Sequence, residues 1–218
     1  MKIIVKKQQK AKKGFKKQKF NFKEYKSFWK SLFVAMVLSE SKEKVINQLL
    51  NENIHLIDKE LSNSLESCIN YFLYKGFDRK TLCSIVNDLM VSIARFPSSE
   101  EVVNHQISSA MYRIAIKKKL ATEDSYEYKA LNLNFSDILC KTEGDYLENI
   151  ELAIEVCNKA LKNCSNEVCP DVWKAGNSNL AGLYTKRRKG DRSQNLEQAI
   201  QIYQSLLKSV SCGGDTNS

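Results

Sequence analysis

The sequence predicts an all-α protein of antiparallel helical hairpins stacked side by side. Three observations carry that expectation. Only 8 glycines and 2 prolines punctuate 218 residues, too few for the many turns of an all-β chain. Apolar residues recur at three- and four-residue steps along most of the chain, the period of a helix with one buried face. Finally, Gly144-Asp145-Tyr146-Leu147-Glu148-Asn149-Ile150-Glu151-Leu152-Ala153-Ile154 returns 46 residues later as Gly190-Asp191-Arg192-Ser193-Gln194-Asn195-Leu196-Glu197-Gln198-Ala199-Ile200. That period lies in the range of helical repeats.

The first helix is expected over Glu24 to Leu38, with Tyr25, Phe28, Trp29, Leu32 and Met36 on one face. Its aromatic cluster reads as core rather than as a platform for nucleic acid. Ser41 opens a short helix carrying Val45, Ile46, Leu49 and Leu50, closed by Asn51-Glu52-Asn53. A longer helix is expected from about Leu56 to Tyr74, stopped at Gly76, which suits a helix C-terminus. The next starts after Asp78 and ends at Pro97, because the residue before a proline is pushed out of helical geometry. Ser98 and Glu101 have capping-box spacing for the helix that runs to Lys117-Lys118-Lys119. Those lysines complement the negative end of that helix.

A polar break at Thr122–Ser125 precedes the repeats. Tyr128-Lys129-Ala130-Leu131-Asn132-Leu133-Asn134-Phe135 aligns with Trp173-Lys174-Ala175-Gly176-Asn177-Ser178-Asn179-Leu180 at an offset of 45. Each unit is therefore helix, loop with Gly-Asp, helix. The second helices place Ile150, Ala153, Ile154, Cys157 and Leu161 in register with Leu196, Ala199, Ile200, Tyr203 and Leu207. Small residues at Ala153 and Ala199 let helices approach, and large ones fill the space between hairpins. Asp145 and Asp191 are expected to brace the loops or the helix starts.

Charge is uneven. The chain carries a formal +9, but residues 1–30 hold 12 lysines and one glutamate, a net +11, which leaves about −2 elsewhere. The expected organisation is a basic disordered tail over 1–22, a helical region over 23–122, two helical hairpins over 123–211 and a polar tail over 212–218. The tail lysines Lys6, Lys7, Lys12, Lys13, Lys16 and Lys17 suit either a solvated extension that aids solubility or electrostatic docking to nucleic acid or to an anionic membrane surface. No apolar run approaches the 18 or so residues that span a bilayer.

The 7 cysteines are odd in number and irregularly spaced. No disulfide framework is implied, and a reducing cytosol is the expected compartment. Neither histidine, His55 nor His105, neighbours a cysteine in sequence, and no Gly-rich turn cradles a phosphate. Cys68, Cys83 and Cys157 read as buried hydrophobes. No catalytic residue, metal site or cofactor is expected, and the protein reads as non-enzymatic.

Trp173, Asn179, Leu180, Ala181 and Tyr184, followed by Ala199, Tyr203 and Leu206, resemble a tetratricopeptide (TPR) repeat, with Phe135, Ser136 and Leu139 as a second copy. The extended Gly-Asp-Arg loop and the Asn-Leu-Glu-Gln-Ala-Ile that follows resemble a long-repeat bacterial subtype. In that subtype such repeats precede a caspase-like peptidase module of the CHAT type, and no such module is expected within these 218 residues. The resemblance covers about 85 residues, Tyr126 to Val210. It implies a short right-handed α-solenoid that binds a protein or peptide segment along its concave face. There the first helix of each unit would present Leu133, Asp137 and Lys141, and Ser178, Thr185 and Lys186. Asn177 and Asn179 would bond either an extended peptide backbone or neighbouring helices and water, and Lys186 and Arg187 would either engage an acidic segment or complement the negative end of their own helix. The last helix has no following repeat, so either Glu197, Gln201, Gln204 and Lys208 form a polar outer cap or another chain covers it; the cap, and with it a monomer, is expected.

Overall fold

A computed structural model describes residues 21–97, 101–142 and 146–211. Nine α-helices form among these residues, and no strand. They are α1 (Phe22–Leu38), α2 (Lys42–Glu52), α3 (Leu61–Tyr74), α4 (Arg79–Arg95) and α5 (Glu101–Lys117), then α6 (Tyr126–Lys141), α7 (Tyr146–Leu161), α8 (Pro170–Lys186) and α9 (Arg192–Ser211). The fold is all-α. None of these helices is long and apolar enough to cross a membrane. Residues 1–20 of the lysine tail, Ser98 of the expected capping box, the Gly144-Asp145 turn and residues 212–218 lie outside the described residues, and Phe22, expected in the tail, opens α1.

Local chemistry sets the boundaries. The Asp78 carboxylate accepts the Thr81 amide at 2.9 Å and starts α4. Ser125 does the same for α6 by accepting the Tyr128 amide. Asp191 accepts the amide of Gln194 at 2.8 Å at the start of α9, as expected of the Gly-Asp loop. Gly190 holds φ +79° in that loop, a conformation that costs glycine little. The third helix starts later than its periodicity predicts. Asp58 accepts the Tyr25 hydroxyl at 2.6 Å and the Glu60 amide at 2.9 Å, which pins a turn between a 3₁₀ segment at Ile54–Leu56 and α3.

The front of the molecule is organised by Trp29. Its ring is fully buried, and its indole N–H donates to the Leu61 carbonyl at 2.9 Å, joining α1 to α3. Phe33 stacks on Phe72 with centroids 5.1 Å apart. Phe28 and Tyr25 are buried too, so the aromatic cluster is core. The lysines that end α5 reach farther than their own helix: Lys117 and Lys118 both pair with Glu66 of α3, at 3.1 and 2.8 Å.

From α4 onward the chain forms three hairpins, α4/α5, α6/α7 and α8/α9. The first helices of successive hairpins touch, α4 against α6 and α6 against α8, and α8 also packs on α7. A single apolar core runs from Tyr25 to Leu183. Polar groups lock its seams. Ser108 donates to the Met90 carbonyl and Ser136 to the Ala153 carbonyl within hairpins. Between hairpins, the Tyr112 hydroxyl of α5 donates to Asn132 of α6 at 2.8 Å, and the Tyr112 ring stacks on Phe135. At the next seam Cys157 donates to the Gly176 carbonyl.

One cysteine expectation is corrected. Cys164 and Cys169 form a disulfide, with Cα atoms 5.6 Å apart. The Ser165 hydroxyl accepts the amides of Glu167 and Val168, and that turn folds the α7–α8 loop so the two sulfurs meet. Cys68, Cys83 and Cys157 are buried thiols as expected. Burial pushes the first two up to about 12 and Cys157 to about 11, opposite to what a nucleophilic thiolate needs.

Candidate functional site

One face of the molecule collects side chains from α4, α6 and α8. Between α6 and α8 lies a pocket of about 140 Å³, lined by Asp137 and Cys140 on one side and Ser178, Asn179, Gly182 and Lys186 on the other. A larger pocket of about 480 Å³ adjoins it, lined by Met36 of α1, Lys42 and Asn47 of α2, Asp88 and Arg95 of α4 and Asn134 of α6. Asn134 and Asp137 stand one turn apart on α6, so the two pockets follow one another along the same helix face.

The electrostatics of this face are lopsided. Asp137 is bracketed by Lys141 at 2.8 Å and Arg95 at 4.0 Å. Lys186 donates to the Cys140 sulfur at 2.9 Å. That hydrogen bond raises its ammonium above the usual lysine value, so it stays charged through the neutral range. Three cations therefore surround one carboxylate. At the other end, desolvation by the pocket walls raises the Asp88 carboxyl above the ordinary carboxylate range, with Lys42 opposing the shift. Asn134 donates to Asn87 at 3.0 Å, which orients its amide at the junction of the pockets.

The structure separates the sequence-predicted residues into two groups. Asp137, Ser178, Lys186 and Asn179 line the groove, and Lys141 joins them through Asp137. Asn177 does not offer its amide to this face. It donates to the Trp173 carbonyl one turn back at 2.8 Å, as Asn132 does to Tyr128. Thr185 likewise donates to its own helix at the Gly182 carbonyl, and its carbonyl accepts from Arg192. Leu133 is buried, with its side chain against Gly176.

Arg187 turns the other way, into the seam between α7 and α9. It grips both Glu151 oxygens at 2.7 and 2.8 Å and reaches Asn195 at 3.4 Å. Leu133 and Arg187 are thus taken up by the neighbouring hairpin, and Asn177 and Thr185 by carbonyls of their own helix. Arg187 holds the Glu151 carboxyl below its usual value. The pair's stabilisation is therefore present above the unfolded carboxylate value of about 4.3 and is lost as pH falls through the depressed folded value. Glu151→Gln is expected to cost about 1 kcal/mol at neutral pH. Urea midpoints measured at neutral and acidic pH should show the difference from the parent shrinking in acid.

Sequence reasoning missed Arg95, Asn134, Lys42 and Asp88, all of which stand on or beside the first of the three hairpins. A signal for that hairpin was present: Asn87, Asn132 and Asn177 recur every 45 residues. His105 is buried with its Nδ1 unpaired among the described residues, and its Nε2 lies 4.0 Å from Glu101. His55 stands on the surface 3.5 Å from Glu24. Among the described residues no three His, Cys, Asp or Glu side chains come close enough to hold a metal ion. Comparison with protein-family models, curated proteins and solved structures finds no match to this chain.

Proposed function

We propose that the protein is a non-enzymatic interaction scaffold that binds an acidic peptide segment along the α4–α6–α8 face. In this reading the three hairpins form a short TPR-like right-handed solenoid, and that face is its concave side. The observation that carries the proposal is the convergence of Arg95, Lys141 and Lys186 around Asp137 from three separate helices. Arg95 and Lys141 are held in place by Asp137 while retaining donors for a ligand carboxylate. Ser178 and Asn179 offer neutral hydrogen-bonding groups beside them, suited to a peptide backbone.

Fluorescence anisotropy with a labelled peptide carrying a run of Asp and Glu tests this. Lys141→Glu together with Lys186→Glu is expected to weaken binding at least tenfold while leaving the helical circular dichroism unchanged. Removing residues 1–20 should change the affinity by less than twofold. If affinity instead disappears with residues 1–20 and is indifferent to the two groove reversals, binding belongs to the lysine tail. Nucleic acid or an anionic membrane surface would then be the partner, and the groove proposal would fail.

A further inference from the structure

The α9 helix presents an apolar stripe to solvent. Leu196, Ile200, Tyr203 and Leu207 are 38, 55, 42 and 68 % exposed. Steps of four, three and four residues keep them on one helix face. Glu197, Gln201, Gln204 and Lys208 are exposed as well, but they flank the stripe instead of replacing it, so the polar cap expected from the sequence covers only one edge. Forty-six residues earlier, the same register positions on α7 are Ile150, Ile154, Cys157 and Leu161. The first three are buried, and Leu161 presses on Gly176 of α8. The stripe on α9 thus has the chemistry of a hairpin–hairpin seam.

The stripe is also self-complementary. Reversing α9 about a point between Ile200 and Tyr203 brings Leu196 opposite Leu207 and Ile200 opposite Tyr203. The polar edge follows the same symmetry with a small offset. Glu197 comes within about two residues' rise, on the order of 3 Å, of Lys208 on the reversed helix, and Gln201 comes equally near Gln204. A two-fold axis normal to the helix pair keeps these edges on the same side, so opposite charges meet and like charges stay apart. Such an interface is isologous and closes at two copies.

We propose that α9 is the contact surface of a symmetric dimer, in which two copies of this chain pack their α9 helices antiparallel. One helix pair buries less than the roughly 800 Å² per partner of a standard interface, so the dimer is expected to exchange reversibly with the monomer.

Sedimentation equilibrium of the full chain across a concentration series reads this directly. The expected result is a mass rising from 25.0 kDa to twice that value and no further. Ile200→Glu places a charge on the exposed stripe and should weaken dimerisation at least tenfold with helical content retained. Glu197→Lys should weaken it severalfold, and adding Lys208→Glu should restore it, because the reversed pair is again complementary across the dyad. A monomer mass throughout the series overturns the proposal. Mass that keeps growing beyond two copies, or a dimer indifferent to Ile200→Glu, overturns it equally. Failure of the charge reversal to restore the dimer refutes the antiparallel register.

Discussion

Replacing Gly176 with valine is expected to destabilise the protein by about 3 kcal/mol, the upper part of the range for overpacked cores. At this chain length that lowers the melting temperature by roughly 6–12 °C. Gly176 sits on α8 where α6 and α7 converge. A Cβ there would stand 2.6 Å from Leu161 Cδ2, 2.9 Å from Leu161 Cγ and 3.2 Å from Leu133 Cδ2. The glycine is thus a notch that admits Leu161, and steric space rather than an unusual backbone angle requires it. Alanine should do less harm, since its helix propensity returns about 1 kcal/mol. Leu161→Ala should relieve the alanine variant, so the two substitutions together cost less than their sum. Denaturant titration of the four members of this cycle checks the coupling, and strict additivity would refute the notch. Hydrogen exchange should show the loss of protection concentrated in α8 and α9, with α1 to α4 close to the parent.

Trp29→Ala is expected to have the complementary effect at the other end, costing about 3–5 kcal/mol. The indole fills the space between α1 and α3 and is fully buried. Truncation leaves a cavity beside Phe33, which lies edge-on to it at 6.4 Å. Trp29→Phe separates packing from polarity. It retains most of the apolar volume and loses the bond to the Leu61 carbonyl, but that carbonyl still accepts from Ser64 at 3.0 Å. Its cost should therefore be only about 1 kcal/mol above the volume change. Exchange protection should fall first in α1 and α3 and be retained in α8 and α9. If both variants melt all helices together, the core behaves as one cooperative unit.

Much of the helical architecture was legible in the sequence because its signals are local. Asp78, Ser125 and Asp191 sit at helix starts as short polar side chains that accept an amide within three residues. The stripe Ile150, Ala153, Ile154, Cys157 needs only the helical period to be read as buried. The α3 start was misjudged because the turn before it depends on Tyr25, 33 residues away, and no window centred on Leu56 contains that contact. The two helices of the first hairpin are legible, but their kinship with the later units is not, for a related reason. Its packing positions hold Cys83, Met90 and Ser108 where the later units hold aromatic or aliphatic residues and alanine. Only the asparagines at 87, 132 and 177 preserve the period.

The groove was half legible. Asp137, Ser178, Lys186 and Asn179 follow from one helix face and its repeat. Arg187 stands next to Lys186 in sequence and carries the same charge, yet a single residue step rotates it by 100° onto Glu151 and away from the groove. For Asn177 the sequence leaves a ligand and a structural partner equally open, because a polar residue in a packed helix needs a partner of either kind, and its own Trp173 carbonyl supplies one.

By itself the sequence determined the all-α class, the hairpin unit with its 46-residue echo, and the residue types each helix buries, because periodicity, capping and turn chemistry act over a few residues. Only the tertiary structure decided which cations meet at Asp137, which asparagines are spent on their own helices, and that α9 presents its apolar stripe outward. Those outcomes depend on the rotation of each helix about its axis relative to its neighbours, which is set by contacts between residues tens of positions apart, such as Leu161 in the notch at Gly176.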